Sequence, residues 1–354
     1  MTVKVFVVDD SAVVRQALAH MLKDQPDIEL IGSAPNPLLA MDAIKKNPPD
    51  VMLLDIEMPG MDGLTFLRQT MASQPIPTVI CSTLTTEGSK IALEALSAGA
   101  VAVLAKPKLG LKQHLEDSRR EMVQTLKAAA RAKPRYRAAV ATPVAAAKPH
   151  AGPVSASAGV HALSMNKPVV IGSSTGGTQA LEMVLTSLPA DGPGIAITQH
   201  MPERFTAMYA KRLDGICAMR VREACDGDRL ERGLALIAPG GLHMQLRKTA
   251  GQYFVHVADG PAVNRHKPSV DVLFRSAAEC AGRDALGIIM TGMGDDGARG
   301  MKVMHDAGAR TIAQNEETCV VFGMPKEAIK LQAVDDILPL EQMAQAILQF
   351  DARA

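Results

Sequence analysis

Short apolar runs alternate with helix-like patterns from the first residues. VKVFVV (3–8), ELIGSA (29–34), DVMLLD (50–55), PTVIC (77–81) and AVAVL (100–104) are near-continuous hydrophobic segments bounded by polar or turn residues. Such runs are the mark of strands buried on both faces of a parallel sheet. Between the first two, Ser11 is placed to cap a helix whose Val14, Leu18, Met21 and Leu22 share one face. Strand and helix patterns in alternation predict a doubly wound parallel sheet. Residues 108–130 predict one more amphipathic helix, with Leu111, Leu115, Met122 and Leu126 on its apolar side.

The pattern then breaks. From about Ala132 to Asn166 the chain is rich in Ala, Pro, Ser and Gly, a composition that buries little and predicts a flexible linker. Its Arg131, Lys133, Arg135 and Arg137 suit a solvated segment better than a docking site. Order resumes at PVVIG (168–172), with a helix predicted from about Gly177. GIAITQ (194–199), LALIA (234–238), LHMQLR (242–247), YFVHVA (253–258), ALGIIMT (285–291) and ARTIAQ (309–314) predict further strands. LHMQLR and YFVHVA, separated by Lys248 to Gln252, predict a hairpin. Helices are predicted after Pro202, Pro268, Asp295 and Pro325 and near the C-terminus. The chain thus divides into an α/β unit over 1–125, a linker over 126–166 and a second α/β unit over 167–354.

Composition narrows the function classes. A chain of 354 residues with 47% hydrophobic content suits two domains. A net charge of +1 and an aromatic content of 3% argue against a nucleic-acid partner. Cys81, Cys217, Cys225, Cys280 and Cys319 form no CxxC and no ligand cluster, so free thiols in a reducing cytoplasm are expected. The start lacks the basic and apolar regions of a signal peptide, and no run approaches the length needed to cross a bilayer. A soluble cytoplasmic monomer without membrane insertion is expected.

Two sets of residues carry chemistry. Asp9 and Asp10 follow the first strand, Asp55 ends the third, and Lys106-Pro107 follows the fifth. In such sheets, ligands bind at the carboxyl edge. Three converging carboxylates need a hard cation, and Mg²⁺ with oxygen ligands suits them. A carboxylate nucleophile, a metal and a lysine together make a phosphoryl-accepting site. The second set begins with Ser174 in Gly172-Ser173-Ser174-Thr175-Gly176, directly after a strand. Glycines at a strand-to-helix turn allow an exposed hydroxyl beside helix amides, although the same turn could bind phosphate or be structural. His200, at the end of GIAITQ, is the best-placed base, with His266 in NRHKPSVD its competitor. His243, His256 and His305 sit in hairpin strands or on a helix and read as surface or satisfied histidines. An orienting acid is available from Asp295 or Asp296 in TGMGDDG, one of which could be a helix cap. The Gly292-Met293-Gly294 loop could offer amides to an oxyanion.

Residues 2–125, with DIEMPGMDG, resemble the receiver domain of two-component response regulators, a flavodoxin-like sheet. The resemblance implies Asp55 as phosphoacceptor, Asp9 and Asp10 as Mg²⁺ ligands with it, Lys106 on the phosphoryl group, and Ser82 with Thr83 as switch hydroxyls. Val103 stands where many receivers carry an aromatic residue. Residues 167–350 resemble the catalytic domain of the bacterial chemotaxis protein-glutamate methylesterase family (CheB), through IGSSTGGTQAL, ITQHMPERFT, APGGLHM, NRHKPSVDVLF, TGMGDDGARGM and VVFGMPKEA. That resemblance implies a triad of Ser174, His200 and Asp296, with Thr175 and the Met293 amide at the active site. It implies demethylation of glutamate methyl esters on chemoreceptors, deamidation of glutamines, and a sensor histidine kinase as phosphodonor. No cofactor is expected for hydrolysis. Two alternatives are the same enzyme in a non-flagellar chemosensory pathway and a non-catalytic, phosphorylation-regulated receptor-binding protein.

Overall fold

In a computed structural model the described residues are 2–82, 86–106, 112–132, 167–203 and 205–352. The amino-terminal unit runs β1 (Val3–Val8), α1 (Ala12–Leu22), β2 (Ile28–Ala34), α2 (Pro37–Lys46), β3 (Val51–Asp55), α3 (Gly63–Ser73), β4 (Thr78–Ser82), α4 (Thr86–Ser97), β5 (Ala102–Ala105) and α5 (Lys112–Ala129). Its strands pair in parallel in the order β2-β1-β3-β4-β5. β3 and β4 are buried along their whole length, which is why their sequences do not alternate. Helix starts follow local chemistry. The Ser11, Asn36 and Asp62 side chains accept from Val14, Leu39 and Thr65 amides, satisfying donors the helices leave open.

The expected linker start at 126 falls inside α5. α5 continues without a break to Ala129, because Leu126 and Ala129 extend the buried face begun by Met122. The remainder of the expected linker, 133–166, lies outside the described residues.

The second unit runs β6 (Val169–Ser173), α6 (Gly177–Thr186), β7 (Ile195–Gln199), α7 (Phe205–Asp214), β8 (Arg220–Glu223), β9 (Leu234–Ile237), β10 (His243–Thr249), β11 (Gln252–Ala258), α8 (Val270–Cys280), β12 (Leu286–Ile289), α9 (Ala298–Asp306), β13 (Arg310–Gln314), α10 (Met324–Lys330), β14 (Asp336–Leu338) and α11 (Met343–Ala352). Seven strands form a parallel sheet in the order β14-β13-β12-β6-β7-β9-β8. The strand order reverses between β6 and β12, so a crevice opens at their carboxyl ends. β10 and β11 pair as the expected hairpin. Its turn is tighter than the sequence suggested, with φ of 49° at Ala250 and 78° at Gly251, as a two-residue turn of this hand requires. α10 begins at Met324, with Pro325 in its first turn, where a missing N–H costs nothing.

The two units touch along α4 of the first and α6 and α7 of the second. Gln179 Nε2 on α6 donates to Leu96 O at 2.6 Å, and Gly176 N donates to Val101 O at 3.4 Å. Val320, from the second unit, joins the hydrophobic cluster of the first.

Candidate active site and acidic pocket

Ser174, His200 and Asp296 follow β6, β7 and the β12 loop, three neighbouring strand ends at the reversal point. The turn after β6 is held from three sides. Ser174 N donates to Thr291 O at 3.0 Å, and Gly177 N returns to Ser174 O at 2.8 Å. Gly176, with φ of 78°, makes the left-handed step into α6. A Cβ on Gly292 would lie 2.8 Å from Ser174 Cβ and 2.2 Å from Met324 Sδ, so only glycine lets the β12 loop pass the serine. The Thr175 and Met293 amides flank this spot, and neither donates to another described residue.

His200 Nε2 meets Asp296 Oδ2 at 2.7 Å. Asp296 is 1% exposed, yet its carboxylate is richly solvated by the protein. Oδ2 also accepts from Val270 N at 2.7 Å, and Oδ1 accepts from Asn264 Nδ2 and Ser269 Oγ at 2.8 Å each and from Asp271 N at 3.3 Å. The acid therefore caps α8 from another element, at the end where its dipole favours a negative charge. Burial pushes its pKa up, but the bonds from His200, Asn264 and Ser269 outweigh that and hold it well below the usual carboxylate range. An ionised carboxylate only accepts, so the proton of His200 sits on Nε2. Nδ1 is the bare nitrogen, buried and without a hydrogen-bond partner among the described residues.

The competing histidine lies against His200, and the competing acid faces a surface arginine. His266 stacks on His200 with centroids 3.7 Å apart and planes 10° from parallel. Burial, and the neighbouring His200, push its pKa down to about 3, so it is a neutral plate beside His200. Asp295 faces Arg299 at 3.4 Å on the surface. It is not a side-chain cap either: α9 begins at Ala298 with Gly297 at its N-cap and no side-chain cap bond. His243 and His256 are satisfied by Pro261 O and Asp226. Sequence reasoning missed Asn264, Ser269 and Gln199. Asn264 and Arg265, at φ of 49° and 71°, are non-glycine residues in a left-handed conformation, such as cluster at functional loops.

In the first unit Asp9, Asp10 and Asp55 each bring a carboxylate oxygen within 4.8 Å of the others. Lys106 Nζ lies 2.7 Å from Asp55 Oδ2 and 3.2 Å from Asp9 Oδ2. Burial raises the Asp55 pKa against the pull of Lys106. Among the described residues, buried Asp9 Oδ2 has the Lys106 ammonium at 3.2 Å but no hydrogen bond of good geometry, and with the exposed Asp10 beside it the donor set fits a hard cation. Ser82 is fully buried at the end of β4, its carbonyl accepting from Lys106 N at 2.9 Å. Thr83 lies outside the described residues. Val103 is partly buried against the core.

A response regulator receiver domain model matches residues 5–116, and a CheB methylesterase model matches residues 169–347. The class is therefore a response regulator with an enzymatic output domain. A "protein-glutamate methylesterase/protein-glutamine glutaminase 2" of Dechloromonas aromatica (strain RCB) is 58% identical over 351 residues, 98% of each chain. One of the same name from Xanthomonas axonopodis pv. citri (strain 306) is 57% identical, covering 97% of this chain and 99% of that one. The crystal structure of the Thermotoga maritima CheB methylesterase catalytic domain is 38% identical, covers 52% of this chain and 98% of that one, and superposes with a TM-score of 0.51. The chain belongs to the CheB methylesterase family.

Proposed function

We propose that this chain is a phosphorylation-activated serine hydrolase that demethylates glutamate methyl esters, and deamidates glutamines, on chemoreceptors in chemotactic adaptation. The observation that carries this reading is the ionised, buried Asp296 fixing the Nε2–H tautomer of His200, beside the glycine-framed turn of Ser174. With Nε2 committed, Nδ1 takes the proton from Ser174 Oγ as that oxygen attacks the γ-carbonyl. The Thr175 and Met293 amides receive the oxyanion. The proton passes to the departing methoxide, methanol leaves, and water, deprotonated by His200, cleaves the glutamyl-serine ester. With glutamine the same sequence releases ammonia. A purely binding role would leave the Asp296–His200 pair without a use.

Asp55 is the proposed phosphoacceptor, with Ser82 and Thr83 as switch hydroxyls. Mg²⁺, held by Asp9, Asp10 and Asp55, would neutralise phosphoryl charge there, and Lys106 would contact the phosphoryl oxygens. A sensor histidine kinase is the proposed phosphodonor. Among the described residues no helix is long and apolar enough to cross a membrane; a cytoplasmic monomer fits the receptor's cytoplasmic helices as substrate. The contacts of Leu96, Ala100 and Val101 with α6 and Gly176 support masking of the Ser174 turn by the receiver, relieved when Asp55 is phosphorylated. Methanol release from methylated chemoreceptors, measured with and without a small phosphodonor, tests this. No release in either condition refutes the enzyme, and release that the phosphodonor does not raise refutes the switch.

A further inference from the structure

Ser174 and His200 are not tied to each other directly, because His200 Nδ1 has no hydrogen-bond partner among the described residues. Their spacing must be set through the backbone. The β6–β7 ladder ends at the Ser173–Gln199 pair, one residue short of both. Beyond that pair the chains diverge, one into α6 and the other toward Pro202.

Gln199 spans this divergence. Its side chain is buried, the residue being 3% exposed. Nε2 donates to Ser174 O at 2.9 Å and to His200 O at 3.0 Å. Oε1 accepts from Ser173 Oγ at 2.7 Å. Two carbonyls can only accept, so the amide orientation is forced and both N–H groups are used. The clamp is also packed tight. A Cβ on Gly177 would sit 2.2 Å from Gln199 Oε1 and 2.8 Å from Ser173 Oγ. One side chain therefore joins the carbonyls of the two residues whose separation governs proton transfer.

We propose that Gln199 is a positioning residue, a side-chain clamp that sets the distance between Ser174 and His200. This rests on reading those two as nucleophile and base. Displacing reacting groups by about 1 Å can cost about 100-fold in rate, whereas substrate binding on the surface of the site does not depend on the clamp.

The test uses the full-length protein with phosphodonor and methylated receptor. Gln199→Met keeps the length of the side chain and removes both donors. The expected result is a fall in kcat of about 10- to 100-fold with KM within about twofold. Ser174 labelling by a fluorophosphonate probe should slow in parallel, per folded molecule. Unchanged kcat and unchanged labelling overturn the clamp, and so does a rise in KM with kcat intact. If Gln199→Met does not fold, Ser173→Ala decides. It frees only the Oε1 end, so kcat should fall severalfold at constant KM, and an unchanged kcat rejects the proposal. Ser174→Ala separates the two readings: an active Ser174→Ala removes the serine mechanism itself, whereas an inert Ser174→Ala beside a fully active Gln199→Met removes only the clamp.

Discussion

Replacing Asp296 by Asn tests the acid and its surroundings at once. Oδ2 serves His200 Nε2 and Val270 N, and Oδ1 serves Asn264 Nδ2, Ser269 Oγ and, more weakly, Asp271 N. An amide must turn NH₂ toward one of these groups. If NH₂ faces His200, the imidazole must present Nε2 as an acceptor, and the proton moves to Nδ1, where the serine proton should go. Val270 N is then also stranded. If NH₂ faces Asn264, two donors oppose each other and Asp271 N loses its partner, although Ser269 can rotate to accept. A buried N–H without a partner costs about 1–3 kcal/mol, so either orientation should lower stability by roughly that amount. The wrong tautomer, or an uncharged partner for the imidazolium, should lower kcat by about 10⁴-fold. Asp295→Asn breaks only a surface pair with Arg299 and should change kcat by less than about threefold, in keeping with the small worth of exposed pairs. Methanol release under saturating substrate, with denaturant unfolding of each variant, measures both quantities. Comparable kcat losses in the two variants would refute the assignment of the acid, and a larger loss in Asp295→Asn would reverse it.

Ser174→Ala should reduce methanol release by about 10⁴-fold or more with the fold intact; near-wild-type turnover removes the nucleophile. Asp55→Asn should abolish stimulation by phosphodonor and keep basal turnover, and a 167–354 fragment should be active without phosphodonor. A fragment no faster than the unphosphorylated full chain rejects masking. His266→Phe should flatten the acid limb of stability. The folded pKa of His266 is pushed down to about 3 from 6.5, so below pH 6.5 the unfolded chain binds a proton the folded one refuses. Stability falls with falling pH through that window, by about 2 kcal/mol between pH 6.5 and pH 5. Equal slopes in wild type and His266→Phe, measured by urea unfolding at both pH values, would show that His266 titrates normally.

Strands buried on both faces announce themselves, and β1, β3, β6 and β7 begin and end within a residue or so of their apolar runs. The strands the pattern did not mark are at the sheet edges. β8 reads RVRE, with exposed or half-exposed charges on three of its positions, and β14 spans only Asp336–Leu338. Edge strands need little hydrophobicity, so periodicity cannot find them. In the site, a turn, a strand end and a glycine-rich loop marked Ser174, His200 and the Asp295-Asp296 pair. The residues by themselves left the choice between the acids, and between His200 and His266, open; the family resemblance selected Asp296 and His200, and the physical ground for that choice is a contact across 96 residues of chain. Asn264, Ser269 and Gln199 are polar residues whose partners are distant carboxylates or backbone carbonyls, and such partners leave no trace in local spacing.

The proximity of Val101 and Leu96 to the Ser174 turn has a reciprocal side. Coupling between two sites runs equally in both directions. If the phosphorylated receiver favours occupancy at Ser174 by some factor, occupancy at Ser174 favours the phosphorylated receiver over the unphosphorylated one by the same factor. Abundant methylated substrate would thus act on the acidic pocket as well as be acted on, favouring the receiver conformation that phosphorylation favours. The adaptation signal would then carry its own load dependence: in a cell rich in methyl esters, a larger share of receivers would sit in the open conformation than phosphorylation alone sets.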